Sequence, residues 1–86
     1  MKIRNTYILR NVAGENLVVP IGDSVNFNSV ITLNATGKFL WELLNTDTTE
    51  EQLTDALCSE YDIERETAER DVSSFIEKLK KNDMLD

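Results

Sequence analysis

The hydrophobic pattern of this 86-residue chain changes period once, near Leu33. Before that point apolar residues come in short β-rich runs, Tyr7 to Val12 and Leu17 to Ile21, separated by Ala13-Gly14-Glu15-Asn16. A Gly with a neighbouring Asn between two such runs signals a hairpin. Pro20 has no N–H to give to a ladder, so pairing on the side it faces should fail near the end of the second strand. Residues 22–28 read as a polar loop, with Phe27 as an exception that tucks back under the sheet. A short third strand, Ser29 to Leu33, then runs straight into a helix.

That helix is the expected hub of the core. Asn34 stands at the junction, and an Asn side-chain oxygen can accept a free amide hydrogen bond from the first helical turn. Phe39, Leu40, Leu43 and Leu44 follow at the spacing of one helix face. Trp41 falls off that face, on the side of Gly37 and next to Leu44, so the helix has apolar residues on two sides and should be packed between two partners. Gly37 costs about 1 kcal/mol against Ala in a helix interior, which implies a close approach to its backbone.

Asn45-Thr46-Asp47 breaks this helix. Thr48 with Glu51, or Thr49 with Gln52, fits a capping box and starts a second helix whose buried stripe is Leu53, Ala56, Leu57 and Tyr61. Asp62-Ile63 forms a turn. A third helix runs from about Glu64 to Asn82 with Ala68, Val72, Phe75, Ile76 and Leu79 as its apolar stripe, and Met84 and Leu85 fold back as a tail. Acidic residues at its start and Lys78, Lys80 and Lys81 at its end suit the helix dipole better than they suit a phosphate site. The result is one α+β domain over residues 1–86, a three-stranded antiparallel sheet followed by three helices, like a winged helix-turn-helix.

Charge narrows what such a domain does. Residues 1–46 carry four basic and three acidic side chains, whereas residues 47–86 carry five basic and thirteen acidic ones. The net charge of −7 therefore sits on the helical half, where a DNA-reading helix would have to lie. Nucleic-acid binders draw much of their affinity from cations against phosphates, so nucleic acid is not an expected partner. No apolar run approaches the roughly 20 residues that cross a bilayer, and no signal-peptide pattern is visible, so a soluble cytoplasmic protein with no membrane partner is expected.

The chemistry-bearing residues are few. The chain has no His and one Cys, which excludes an internal disulfide and argues against a zinc site. Cys58 has no basic neighbour in sequence to lower its pKa and reads as a small, partly buried side chain beside the second helix's stripe. The sequence holds no Gly-rich phosphate loop and no nucleophile elbow, and pairs such as Glu50-Glu51 belong on solvated faces. No catalytic residue, cofactor or metal is expected, and the protein is not read as an enzyme.

Segments across nearly the whole chain are similar to the PqqD family: Leu9 to Glu15, Val18-Val19-Pro20, Phe27-Asn28, Ile31 to Gly37, Trp41 to Leu44, then Thr48 to Leu53, Tyr61-Asp62-Ile63 and Asp71-Val72. The strand-to-helix piece with Leu33-Asn34 is the most specific. The resemblance implies a small winged-helix recognition element of ribosomally made, modified peptides. Such an element binds the leader of a precursor peptide and presents it to a modifying enzyme, often a radical SAM protein. The Val-Ala-Gly-Glu hairpin and long third helix resemble the general peptide-modification members more than the founding case, whose product is the quinone cofactor PQQ.

The same resemblance places the leader against the third strand, on Asn28, Ser29, Val30, Ile31 and Thr32, in a groove closed by the third helix. Strand addition at an open sheet edge supplies affinity through backbone bonds, and side-chain pockets supply specificity. Two flanks of the third helix could line that groove: Asp71, Ser74 and Lys78, or Arg65, Glu69 and Ser73. The first, with Phe75 at the floor, is the expected one. A winged-helix DNA-binding regulator would instead require basic residues on the third helix, where acids outnumber them. A structural oligomerisation module would require a large exposed apolar patch, with the Trp41 face as its candidate, and either a monomer or a weak homodimer fits the composition.

Overall fold

A computed structural model describes residues 1–21 and 30–86. The expected loop over 22–28, the placement of Phe27, and the candidate peptide contacts Asn28 and Ser29 lie outside the described residues. The elements run β1 (Tyr7–Val12), β2 (Glu15–Pro20), β3 (Ile31–Leu33), α1 (Ala35–Leu43), α2 (Glu50–Glu60) and α3 (Arg65–Lys81). The sheet is antiparallel with order β1-β2-β3.

The hairpin is tighter than the sequence suggested. Val12 pairs with Glu15, leaving a two-residue turn of Ala13 and Gly14 at φ of 52° and 83°. Two positive φ values in a two-residue loop match the right-handed twist of the flanking strands, so the turn closes at once and β2 starts at Glu15 rather than at Leu17. Asn16 is inside the strand, its side chain accepting a bond from Asn11 at 3.2 Å.

Register fixes which backbone groups face which way. Ile31 lies opposite Val18, Thr32 opposite Leu17, and Leu33 opposite Asn16. At the other side of β2, the Ile21 N–H donates to the Thr6 carbonyl at 2.8 Å, so odd-numbered residues of β2 turn toward β1. By alternation Pro20 turns its missing N–H toward the β3 side.

The α1 helix begins where Asn34 accepts the Gly37 N–H at 2.8 Å. A Cβ on Gly37 would stand 3.3 Å from Leu33 side-chain atoms and from the Asn34 cap oxygen, so the close approach inferred from sequence is made by the strand that feeds the helix. The buried face of α1 differs from the expected one. Gly37, Leu40 and Trp41 are buried together with the capping Leu44, whereas Phe39 and Leu43 are only half-buried. Trp41 is 2% exposed, so its face is covered within the chain. Phe39 lies at the margin, edge-on to Tyr61 with ring centroids 5.8 Å apart.

Helix α2 takes the second of the two capping boxes. Thr49 accepts from the Gln52 N–H, and the Gln52 side chain accepts from the Thr49 N–H. Thr48 is spent elsewhere, its hydroxyl donating to the Leu43 carbonyl at 3.0 Å. Leu53 and Leu57 are fully buried, Ala56 and Tyr61 only half so. Thr54 is buried too, its hydroxyl satisfied by the Glu50 carbonyl at 2.9 Å.

All five stripe residues of α3 are buried, as their spacing predicts. Met84 is fully buried behind it, and Leu85 forms an antiparallel bridge with Ile3. That bridge makes Ile3 part of the core, with its N–H on the Leu44 carbonyl at 2.9 Å. Among the described residues, no helix is long and apolar enough to cross a membrane.

Candidate functional site: the groove between β3 and α3

Strand β3 pairs with β2 along one side only, among the described residues. Its Thr32 carbonyl accepts from Lys78 Nζ of α3 at 3.4 Å, and so points away from β2. In an extended strand the N–H and C=O of one residue share a side, and neighbours take opposite sides. The Thr32 N–H therefore also faces outward, while Ile31 and Leu33 use their backbone groups toward β2. Side chains alternate as well: Ile31 and Leu33 are buried and Thr32 is exposed.

Between this edge and α3 lies a cavity of about 300 Å³ lined by Thr32, Leu33, Asn34, Thr36, Gly37, Leu40, Asp71, Ser74, Phe75 and Lys78. Leu33, Leu40 and Phe75 give it apolar walls, and Asp71, Ser74 and Lys78 stand at its rim as exposed polar groups. Thr36, Gly37 and Leu40 share one face of α1, and Leu33 joins them from the end of β3. Gly37 matters because any side chain at that position would intrude between Leu33 and the cap of α1.

Of the residues singled out in the sequence, Thr32, Asp71, Ser74, Phe75 and Lys78 come together around this cavity. Val30 lies just before β3 and is half-buried, and Ile31 turns its side chain into the core; neither lines the cavity.

The two flanks of α3 face different partners. Arg65 of the second flank bonds Asp55 of α2 at 2.7 Å and also reaches Glu69 at 3.3 Å. The hydrogen bond and charge of Asp55 raise the guanidinium pKa further above its ordinary value. With Ser73, Val72, Thr54, Glu50 and Glu51, Arg65 and Glu69 line a larger hollow of about 440 Å³ against α2, to which β3 contributes no residue. Among the described residues, the flank carrying Asp71, Ser74 and Lys78 is the one that meets the open strand. Among the described residues there is no group of three or more His, Cys, Asp or Glu side chains placed to hold a metal ion. Cys58 is half-buried, as its position beside the stripe predicts.

The family model described as coenzyme PQQ synthesis protein D (PqqD) matches residues 8–85. No curated protein matches the sequence. Two solved structures are similar over almost the entire fold. TbiB1 in complex with the TbiA(beta) leader peptide superposes with a TM-score of 0.79 at 28% identity, covering 100% of this chain and 95% of its own. A lasso peptide synthetase B1 complexed with the leader peptide gives 0.74 at 25% identity, covering 96% of this chain and 93% of its own.

Proposed function

The chain belongs to the PqqD family, and from that premise we propose that it is a non-catalytic recognition element that binds the leader of a ribosomally made precursor peptide as a fourth strand on β3. The single observation that carries this reading is the outward backbone of Thr32, set across a partly apolar cavity from α3. A strand edge with an adjacent groove offers what an extended peptide needs, main-chain partners on one side and side-chain pockets on the other. Two structures of the same fold hold leader peptides, which supports the reading. The bound leader is then presented to a separate modifying enzyme, for which a radical SAM protein is the proposed class, in the cytoplasm.

The test uses backbone chemistry, since side-chain truncation leaves strand bonds intact. Thr32→Pro removes an outward N–H, and Ile31→Pro removes one that serves the sheet. Titration calorimetry with a synthetic leader of the cognate precursor should show Thr32→Pro binding about tenfold more weakly while circular dichroism remains native. Ile31→Pro should chiefly lose stability. Unchanged affinity in a folded Thr32→Pro protein would rule out strand addition at β3.

A further inference from the structure

We propose that Lys78 reads a carboxylate on the bound peptide, so that the groove selects an extended segment with an apolar side chain and an Asp or Glu at a fixed offset from it. This deepens the peptide-binding reading above and rests on it.

The ammonium of Lys78 sits at the open edge of β3, on the outward Thr32 carbonyl at 3.4 Å. That distance is long and the bond is exposed to water, so it locates the cation more than it holds it. An added strand needs the same carbonyl for one of its own N–H groups. Lys78 must then leave, and its flexible four-carbon stem lets the ammonium swing to a group on the incoming chain. Among the described residues no carboxylate lies within 4.0 Å of Lys78 to receive it. Other cations of α3 are either paired, Lys81 with Glu77 and Arg65 with Asp55, or, like Arg70 and Lys80, do not line the cavity. Among the described residues Lys78 is thus the unpaired cation that faces the groove, in a helical half whose net charge is otherwise strongly negative.

Its position in the groove sets what neighbours the carboxylate. Lys78 and Ser74 line both the Leu40–Phe75 cavity and an adjoining hollow of about 250 Å³ that continues along α3 to Asn82. The cation therefore marks the junction between an apolar pocket and a polar continuation. Asp71 stands two helical turns back at the far end of the first cavity, where it disfavours a second carboxylate. An extended peptide along this path meets apolar walls on one side of Lys78 and polar ones on the other.

The test is selection from a random 15-residue peptide library displayed on messenger RNA, against the parent, Lys78→Gln and Lys78→Glu, all verified as folded by circular dichroism. Lys78 is exposed, so neither change should disturb the core. Peptides selected on the parent should share an apolar residue with Asp or Glu at a fixed offset. That acidic preference should vanish on Lys78→Gln and turn to Lys or Arg on Lys78→Glu. A peptide from the parent pool should bind Lys78→Gln about fivefold to tenfold more weakly and lose most of its salt dependence. The same consensus on all three proteins would overturn the role of Lys78 while leaving peptide binding intact. No enrichment on any of them would overturn the peptide-binding reading, and this inference with it.

Discussion

Replacing Trp41 with Ala probes whether α1 is the centre of the core. The indole is 2% exposed and lies with Leu40 and Leu44 among the largest fully buried side chains. Truncating such a ring removes its transfer free energy and leaves a cavity that neighbours fill only in part, at a cost of about 3–5 kcal/mol. A domain of 86 residues has about 4–13 kcal/mol of stability in total, at about 0.05–0.15 kcal/mol per residue. The variant should therefore be marginal or unfolded at 25 °C. Urea denaturation followed by circular dichroism is the suitable assay, because Trp41 is the only tryptophan and the substitution removes the fluorescence signal. With a slope near about 1 kcal/mol per molar urea, the midpoint should fall by about 3 M or more. Trp41→Phe keeps most of the apolar contact and should lose far less. A loss under about 1 kcal/mol for Trp41→Ala would show that the ring is not packed as described, and would return its face to consideration as a partner surface.

Two further outcomes follow from the hairpin and from the charge distribution. Ala13 holds φ of 52° in a turn that Asn-Gly fits better, so Ala13→Asn should stabilise the protein by about 1 kcal/mol and raise Tm by about 4–8 °C in a calorimetric scan; no gain would mean that the turn is not of this type. In a mobility-shift assay at about 0.15 M salt, duplex DNA should show no complex, and a Kd below about 1 μM would overturn the argument from the acidic helical half.

The helical part of this fold was legible because its signals are local. The capping pair Thr49 and Gln52, the Asn34 cap and the five-residue stripe of α3 each specify their own structure within a turn or two. What escaped was set by distant partners or by a single dihedral. Ile3 gave no sign of burial, since its place depends on Leu85, which closes over it from the other end of the chain. Trp41 is buried as its place on a two-sided helix implied, but Phe39 is left at the margin, because a helical wheel shows which residues share a face and not how deeply the rest of the chain covers it. The two-residue turn was missed because Ala13, unlike Gly14, does not advertise a positive φ.

The groove divides in the same way. Asp71, Ser74 and Lys78 share a flank by helical spacing, which the sequence gives, but that this flank and not Arg65's meets β3 depends on how α3 crosses the sheet. Arg65 settles into the α2 side through Asp55, a contact ten residues away in sequence. Leu33 at the end of β3 and Thr36, Gly37 and Leu40 on α1 gave no sign of lining a cavity, because the wall opposite them comes from α3.

The central claim is that a peptide pairs with the outward backbone of Thr32, and amide hydrogen exchange at that residue tests it most directly. In the peptide-free protein the Thr32 N–H faces away from β2, so it should exchange quickly by nuclear magnetic resonance, while Ile31 and Leu33 are protected by their bonds to β2. Saturating leader peptide should slow Thr32 exchange by about tenfold or more and leave the outer edge of β1 unchanged. Bound peptide that leaves Thr32 exchange unaltered, or protects β1 in its place, would contradict the account.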